Sequence, residues 1–356
     1  MKIQLAPGPS ELYFTVSDHV RQALREGIGS ISHRSKTFED ISHTATQGLR
    51  QLLGIPPEFH IFFTSSATEV WERAIENLVE KTSFHYVNGA FSKRFFEISQ
   101  QLNRTATSQE AALGEAWREV TATDAELIAV THNETSTGVA VPLPWIAEVR
   151  RKNPDSLLIV DAVSSLPYPV FDFTEVDAVF FSVQKGFGLP AGLGVWMVNN
   201  RCIAKAEAMV RKGISIGSYH NLLALLEHSK KNQTPSTPNV LGIFLLSRVV
   251  TDLLTRGIDN IRRETDYKAA LLYQVLSQHS HLQPFVTEKA WRSKTVIVAN
   301  TGQHTADLAL YLAKNGFLAG DGYGQLKKSQ LRFANFPAHS REQFELLADL
   351  ITSFRP

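Results

Sequence analysis

The chain of 356 residues contains a single cysteine, Cys202, which excludes an internal disulfide and any cysteine-based metal site. Neither sign of charge prevails, since 36 lysines and arginines stand against 35 aspartates and glutamates, so nucleic acid binding has no electrostatic support. No apolar run reaches the roughly 18 residues of a membrane helix. Met1-Lys-Ile-Gln4 lacks the basic-then-apolar start of a signal peptide. We therefore expect a cytoplasmic protein without metal, membrane or nucleic acid partners.

Hydrophobic residues make up 43% of the chain, which is enough to fill more than one core. Between about residues 60 and 200, strand-like and helix-like runs alternate. The patterns predict strands at 61–64, 84–87, 126–131, 157–161, 176–182 and 195–198, and helices at 69–79 and 144–151. This alternation predicts an α/β fold, in which helices cover both faces of a mostly parallel sheet and ligands bind at the carboxyl ends of its strands.

A polar, proline-bearing stretch at 233–238 precedes a change of pattern. The remaining periodicity predicts helices at 239–255, 258–278, 305–316 and 341–354, and strands at 295–299 and 331–334. This shorter α/β segment indicates a second, small domain. We assign 16–250 to a large, ligand-binding domain, and 251–356 together with 1–15 to the small one.

Lys185 and Asp161 each stand at the end of a predicted strand, and a glycine-rich turn follows Lys185. Pyridoxal 5′-phosphate needs this set of groups: an amine that forms a Schiff base with its aldehyde, and an acid that keeps its pyridine nitrogen protonated. Neighbouring strands lie about 4.8 Å apart, so the two side chains could hold opposite ends of one ring. A carboxylate at the edge of the core and a solvated lysine are the structural alternative.

Three further turns offer groups for such a cofactor. The stretch Thr64-Ser-Ser-Ala-Thr-Glu69 leads from a strand into a helix, where backbone amides and the helix dipole attract phosphate. Ser66 and Glu69 also form a capping box, which a helix would use without any phosphate. Phe91 could stack on a flat ring or belong to the core, and Thr135 lies in a polar turn.

The order of these motifs resembles the class V, fold type I aminotransferases over nearly the whole chain, and most closely their phosphoserine aminotransferase group. The matching segments, in order, are Ala6-Pro-Gly-Pro-Ser10, Ile31-Ser-His-Arg-Ser-Lys-Thr-Phe38, Ser66-Ala-Thr-Glu69, Asn88-Gly-Ala-Phe-Ser92, Asn133-Glu-Thr-Ser-Thr-Gly138, Val160-Asp-Ala-Val-Ser-Ser165, Ser182-Val-Gln-Lys-Gly186, Ser236-Thr-Pro-Asn-Val-Leu-Gly-Ile-Phe244 and Leu331-Arg-Phe-Ala-Asn-Phe336. The resemblance implies the fold type I architecture, with pyridoxal 5′-phosphate as cofactor and amino and 2-oxo acids as substrates.

The resemblance also implies roles for individual residues. Lys185 would form the Schiff base and move the proton between substrate and cofactor, while Asp161 would pair with the pyridinium. Gln184 would contact the cofactor phosphate, which Ala67 and Thr68 would cradle.

Other cofactor contacts are implied at more distant positions. Phe91, where many relatives carry tryptophan, would stack on the ring, and Thr135 would meet its hydroxyl side. Ser236 and Thr237 resemble a segment that reaches the phosphate from the second subunit of an obligate homodimer. Thr237 followed by Pro238 is also a good helix start, and Thr234 is a competing phosphate contact.

The implied substrate contacts are His33 and Arg34 for a phosphate group and Arg332 for the α-carboxylate. One departure stands out: the Gly-His-Arg that many bacterial relatives carry before the carboxylate arginine is missing. Lys327 or Lys328 could replace it. We therefore expect a phosphoserine:2-oxoglutarate aminotransferase of serine biosynthesis. The alternatives are an alanine– or serine–glyoxylate aminotransferase, and a pyridoxal-phosphate lyase of the same fold.

Overall fold

The computed structural model describes residues 2–355, and its two main sheets have separate cores. The strands are β1 Ile3–Leu5, β2 His60–Thr64, β3 Thr82–Val87, β4 Thr105–Glu110, β5 Leu127–Thr131, β6 Asn133–Glu134, β7 Val139–Ala140, β8 Leu157–Asp161, β9 Ala178–Ser182, β10 Gly194–Val198, β11 Gln283–Pro284, β12 Val296–Asn300, β13 Phe317–Asp321 and β14 Gln330–Ala334. The α-helices are α1 Val16–Arg25, α2 Lys36–Leu53, α3 Ala67–Leu78, α4 Ala90–Gln101, α5 Leu143–Lys152, α6 Asn200–Arg211, α7 Leu222–Ser229, α8 Val240–Arg256, α9 Ile258–Gln278, α10 Thr305–Lys314 and α11 Arg341–Ser353.

The larger sheet has seven strands in the order β2-β10-β9-β8-β5-β3-β4. Only β10 runs against its neighbours, and the other pairings from β9 to β4 are parallel. Strands β5, β8, β9 and β10 are buried along their whole length, as expected for strands with helices on both faces. The carboxyl ends of β5, β8 and β9 therefore meet at one edge of the sheet, where a polar side chain can lie outside the apolar core.

Alternate residues of the strands point into two different apolar clusters. Phe180 packs with α3, α4 and α6 on one face, whereas Val179 and Phe181 pack with α2 and α8 on the other. Gly48 of α2 lets that helix approach α8, because a Cβ at this position would lie 2.7 Å from Val250 Cγ1. The predicted α/β sandwich is confirmed.

The second sheet has five strands in the order β1-β13-β14-β12-β11, packed against α9, α10 and α11. Its first strand comes from the amino terminus, since Ile3–Leu5 pairs in parallel with Phe317–Ala319. This pairing brings the amino-terminal turn beside the carboxyl-terminal segment. The exact domain limits stay a prediction; the predicted boundary between 250 and 251 falls inside α8.

Every predicted helix and strand is present, with ends displaced by a few residues. No helix was predicted from the sequence within residues 16–53, where α1 and α2 lie. The sequence patterns also did not predict the helices α4, α6 and α7 or the strands β1, β4, β6, β7, β11 and β13. Within residues 2–355, no helix has the length and apolar character needed to cross a membrane.

Candidate active site

Lys185 lies three residues after β9, and its side chain is buried. Its Nζ donates a hydrogen bond to Thr135 Oγ1 at 2.9 Å and stands 5.0 Å from the centre of the Phe91 ring. Burial lowers the pKa of Lys185 from 10.5 to about 8, while the carboxylates of Asp161 and Glu134 act in the opposite direction. The free amine is therefore more accessible near neutral pH than it is for an exposed lysine.

Asp161 ends β8, the strand next to β9, and is 3% exposed. Both of its oxygens have donors, the indole N–H of Trp71 at 2.9 Å and the backbone amide of Val163 at 2.9 Å. Burial raises the pKa of Asp161 to about 6, although the Val163 amide and the Lys185 ammonium oppose the shift. These donors hold the carboxylate in one orientation.

Lys185 and Asp161 line one cavity of about 190 Å³ at the carboxyl ends of the parallel strands. Its lining residues come from both sheets and include Pro7, Gly8, Ser66, Ala67, Thr68, Trp71, Phe91, Asn133, Thr135, Asp161, Gln184, Lys185, Tyr323 and Arg332. The structure thus brings together the residues predicted to contact the cofactor ring and the three predicted to contact its phosphate, Ala67, Thr68 and Gln184. Arg332 joins them from the second sheet. Gly8 touches the lysine so closely that a Cβ there would lie 2.6 Å from Lys185 Cε.

The turn from β2 into α3 borders the same cavity. Ser66 caps the helix by accepting from the amide of Glu69, and the amide of Ala67 donates to Ser182 Oγ at 2.7 Å. A Cβ on Gly194 would lie 2.5 Å from Thr64 Oγ1, so the neighbouring strand packs directly on this turn. Thr68 is exposed at the first turn of the helix, where an anion would meet the positive end of its dipole.

Glu134 is a fully buried carboxylate that sequence reasoning did not single out. It accepts hydrogen bonds from the backbone amide of Ser92 at 2.9 Å and from the hydroxyl of Ser136 at 2.6 Å. The charge therefore sits at the amino-terminal end of α4, where the helix dipole stabilises it. It fixes the start of the helix that carries Phe91.

Arg332, on β14, enters the cavity from the second sheet. Its Nε donates to the carbonyl of Asp321 at 2.7 Å, and its Nη1 donates to the carbonyl of Thr135 at 3.1 Å. Tyr323, another residue missed in the sequence, lies between two site residues. Its ring is 5.4 Å from the Phe91 ring, at a tilt of 49°, and 5.5 Å from the Arg332 guanidinium. The only signal for Tyr323 was an aromatic residue in the glycine-rich stretch before Arg332.

The predicted contacts to a substrate phosphate do not line this cavity. Arg34 is exposed, and its guanidinium donates to Gln233 Oε1 at 2.8 Å and to the carbonyl of Pro235 at 3.4 Å. His33 is its half-buried neighbour. Lys327 and Lys328 are also exposed, and Lys327 lies 3.5 Å from the carboxylate of Asp321.

The segment 233–238 likewise stays outside the cavity. Thr237 is exposed, whereas Thr234 is buried and donates to the carbonyl of Ser236 at 2.8 Å. Ser236 reaches the α3 turn only through His220, which lies 3.2 Å from its hydroxyl and 2.6 Å from Glu69 Oε1. Their roles as cofactor contacts stay predictions.

Comparison with known proteins identifies the family. The profile of the family Aminotransferase class-V matches residues 5–323. A crystal structure of a phosphoserine aminotransferase from Cytophaga hutchinsonii is 50% identical, covers 98% of each chain and superposes with a TM-score of 0.97. The chain belongs to the class V aminotransferases. The phosphoserine aminotransferase of Rhodococcus opacus is 28% identical over 326 residues, which are 90% of this chain and 86% of that protein.

A pyridoxal-phosphate-bound phosphoserine aminotransferase from Trichomonas vaginalis shares the fold, with a TM-score of 0.81 at 18% identity over 99% of this chain and 100% of that one. The class V aminotransferase described here is a pyridoxal-phosphate enzyme of fold type I, as the sequence predicted. Cys202, the single cysteine, is buried in α6, and burial raises its pKa well above the ordinary value.

The residues of the cavity fit this cofactor. Gln184, next to the lysine, has a buried Oε1 without a hydrogen-bond partner in the part of the chain that the structure describes. Buried polar atoms are normally satisfied, so this acceptor oxygen points to a hydrogen-bond donor that the described chain does not supply. An amine, a carboxylate and an aromatic ring line the same space, which is the donor set that pyridoxal 5′-phosphate requires.

Proposed function

We propose that this aminotransferase transfers the amino group of L-phosphoserine to 2-oxoglutarate in the reversible reaction of serine biosynthesis. The observation that carries the substrate assignment is the 50% identity to a phosphoserine aminotransferase over 98% of both chains. The cavity supports the reaction type, because Lys185 and Asp161 line it together with the guanidinium of Arg332.

The cofactor, when bound, supplies an electron sink that makes the α-proton of an amino acid acidic. We propose that Lys185 and Asp161 hold it at its two ends, while Phe91 and Thr135 contact its ring and Ala67, Thr68 and Gln184 its phosphate. The lowered pKa of Lys185, about 8, allows its Nζ to accept a proton and return it without a large barrier near neutral pH. Thr135 Oγ1, 2.9 Å away, orients that amine.

We propose that Arg332 binds the α-carboxylate of either substrate. Two of its nitrogens are held by backbone carbonyls, so the guanidinium is fixed before a substrate arrives. Burial lowers the pKa of this guanidinium from its ordinary value, with Tyr323 and Asp321 opposing the shift, and it remains a cation at physiological pH. A preorganised arginine in a half-buried setting binds a carboxylate strongly and in one orientation.

We further propose that the protein is a cytoplasmic homodimer with a shared active site. Arg34 donates hydrogen bonds to Gln233 and Pro235, so the predicted phosphate contacts on the two segments lie in one region. We call this region, which consists of His33–Arg34 and Ser236–Thr237, the 33/236 patch. Gln233 also donates to Glu39 Oε1 at 2.8 Å, which ties this patch to α2. Because the patch lies outside the cavity of its own chain, we assign it to the site of the second copy.

The substrate assignment is tested by single-turnover half-reactions of the loaded enzyme with phosphoserine, serine, alanine and glutamate. The cofactor absorbance should change fastest, at equal concentration, with phosphoserine and glutamate. Arg332→Ala should slow all four donors alike, because each presents an α-carboxylate. A wild-type preference for alanine or serine would overturn the phosphoserine assignment and leave the aminotransferase family untouched.

A further inference from the structure

A second cavity adjoins the one around Lys185. It encloses about 400 Å³, compared with about 190 Å³ at the lysine, which is within the roughly 300–1,000 Å³ of small-molecule sites. Among residues 2–355, Asn133 alone lines both cavities. The other walls come from residues 140–143, the loop after β8, the helix α9 and the residues just before β12. Neither Lys185 nor Asp161 borders this space.

The floor of the second cavity is polar and incompletely paired. His132 and Asn133 are 6% and 3% exposed, and both line the cavity. Neither His132 Nδ1 nor Asn133 Oδ1 has a hydrogen-bond partner among residues 2–355. Because buried polar atoms are normally satisfied, two adjacent exceptions at one cavity indicate a polar ligand.

The rest of the lining carries charges of both signs. Tyr168 holds the two charged side chains Arg262 and Asp266 in place. Its carbonyl accepts a hydrogen bond from Arg262 Nε at 2.9 Å, and its hydroxyl donates one to Asp266 Oδ1 at 2.7 Å. Lys294 adds an exposed ammonium, which forms no ion pair within the described chain. A ligand with one positive and one negative end would complement this lining.

We propose that the second cavity binds a small α-amino acid with a short polar side chain, at a site separate from the reaction. The carboxylate would lie beside Arg262 and Lys294, and the ammonium beside Asp266. The hydroxyl or amide of the side chain would reach the unpaired atoms of His132 and Asn133. The charged end would fix the orientation, and the polar floor would select against an apolar side chain of the same size.

The test is calorimetric titration of L-serine into the holoenzyme after borohydride has reduced the cofactor onto Lys185. This treatment removes the covalent chemistry of the first cavity but leaves Arg332 there, so only the binding that substitutions in the second cavity weaken reports on the second cavity. Lys294→Met and Asp266→Asn should each weaken this binding at least tenfold. Asp266→Asn keeps an acceptor for the Tyr168 hydroxyl, and Lys294 is exposed, so both variants should fold as the wild type does.

Lys289→Met is the matched control, because Lys289 is an exposed lysine nearby that does not line the cavity. It should leave serine binding unchanged, and L-alanine should bind more weakly than serine to the wild type. Absence of saturable binding to the reduced enzyme overturns the proposal. Binding that only one of the two cavity variants weakens, or that Lys289→Met weakens equally, overturns it as well.

Discussion

The Lys185 cavity and the 33/236 patch differ in how completely one chain builds them. In the cavity, the amine, the carboxylate and the guanidinium are each held by a buried or backbone partner. In the patch, Arg34 is exposed and its hydrogen bonds go to a neighbouring loop. Groups that act on the same ligand in every turnover gain from preorganisation. Under the proposed homodimer, the patch would enclose a substrate only together with the second copy.

The largest effect is expected from Lys185→Ala. Turnover should be abolished, because no other amine lies in the described cavity to accept and return the proton. The cofactor should still bind through its remaining contacts, with its absorbance shifted toward that of the free aldehyde. Steady-state rates measure the loss of turnover, and a cofactor titration measures the remaining cofactor binding. More than a small residual fraction of turnover would remove Lys185 from the mechanism.

Asp161→Asn should come next, with a loss of orders of magnitude in the step that removes the α-proton. The substitution keeps the shape of the side chain but removes the charge that stabilises a protonated ring nitrogen. Pre-steady-state rates measure the loss, and thermal unfolding serves as the control, since folding should be largely kept. A variant with the wild-type rate would mean that the ring nitrogen has another partner.

Arg34→Ala tests the patch. It should lower kcat/KM for phosphoserine about ten- to a hundredfold, since a charge-assisted hydrogen bond contributes roughly 1.5–3 kcal/mol. The half-reaction with glutamate should change less. Arg25→Ala, at an exposed arginine in α1, is the control and should leave both reactions unchanged. Equal phosphoserine kinetics in the two variants would contradict the assignment.

Co-expression of Arg34→Ala with Lys185→Ala sharpens the same comparison. If the patch serves the second subunit, the heterodimer contains one site with an intact lysine and an intact arginine. It should then recover about half of the wild-type kcat/KM for phosphoserine, as two independent sites would give. If Arg34 acts within its own chain, no such recovery occurs.

The sequence predicted the residues that line the cavity better than the residues that hold them in place, and the reason is physical. Asp161 ends one buried apolar strand and Lys185 follows the next by three residues, and parallel strands bring their carboxyl ends to one edge whatever the rest of the fold does. Trp71 meets Asp161 across 90 positions of sequence, and Tyr323 meets Phe91 across two sheets. No local pattern encodes such contacts.

Helix α2 was missed because its threonines and Gly48 are poor helix formers, and its packing on α8 stabilises it instead.

The pH dependence of cofactor capture depends on the burial of Lys185. Burial favours the neutral amine, so the pKa falls from 10.5 to about 8, and the amine is the form that attacks the aldehyde. The rate of cofactor uptake by the apoenzyme should therefore rise with pH and level off above about 8. Stopped-flow absorbance from about pH 6 to 10 measures it, with N-acetyl-lysine amide as the exposed reference. A midpoint close to 10.5 would contradict the assigned environment.

The smallest effect is expected from Trp71→Phe. The indole N–H donates to Asp161 Oδ2 at 2.9 Å and lowers the pKa of that carboxyl, against the stronger effect of burial. Phenylalanine keeps the ring that stacks on Phe95 but removes the donor, so the charged carboxylate loses one of its two partners. Cofactor affinity should fall about three- to tenfold, since 1.4 kcal/mol is a factor of ten. The nitrogen-15 shift of the cofactor ring should also move toward the unprotonated form.

Trp145→Phe is the control, because the Nε1 of Trp145 is buried without a hydrogen-bond partner in the described chain. If both variants bind the cofactor equally well, Trp71 only fills space, and the hydrogen bond from Val163 is sufficient to hold Asp161.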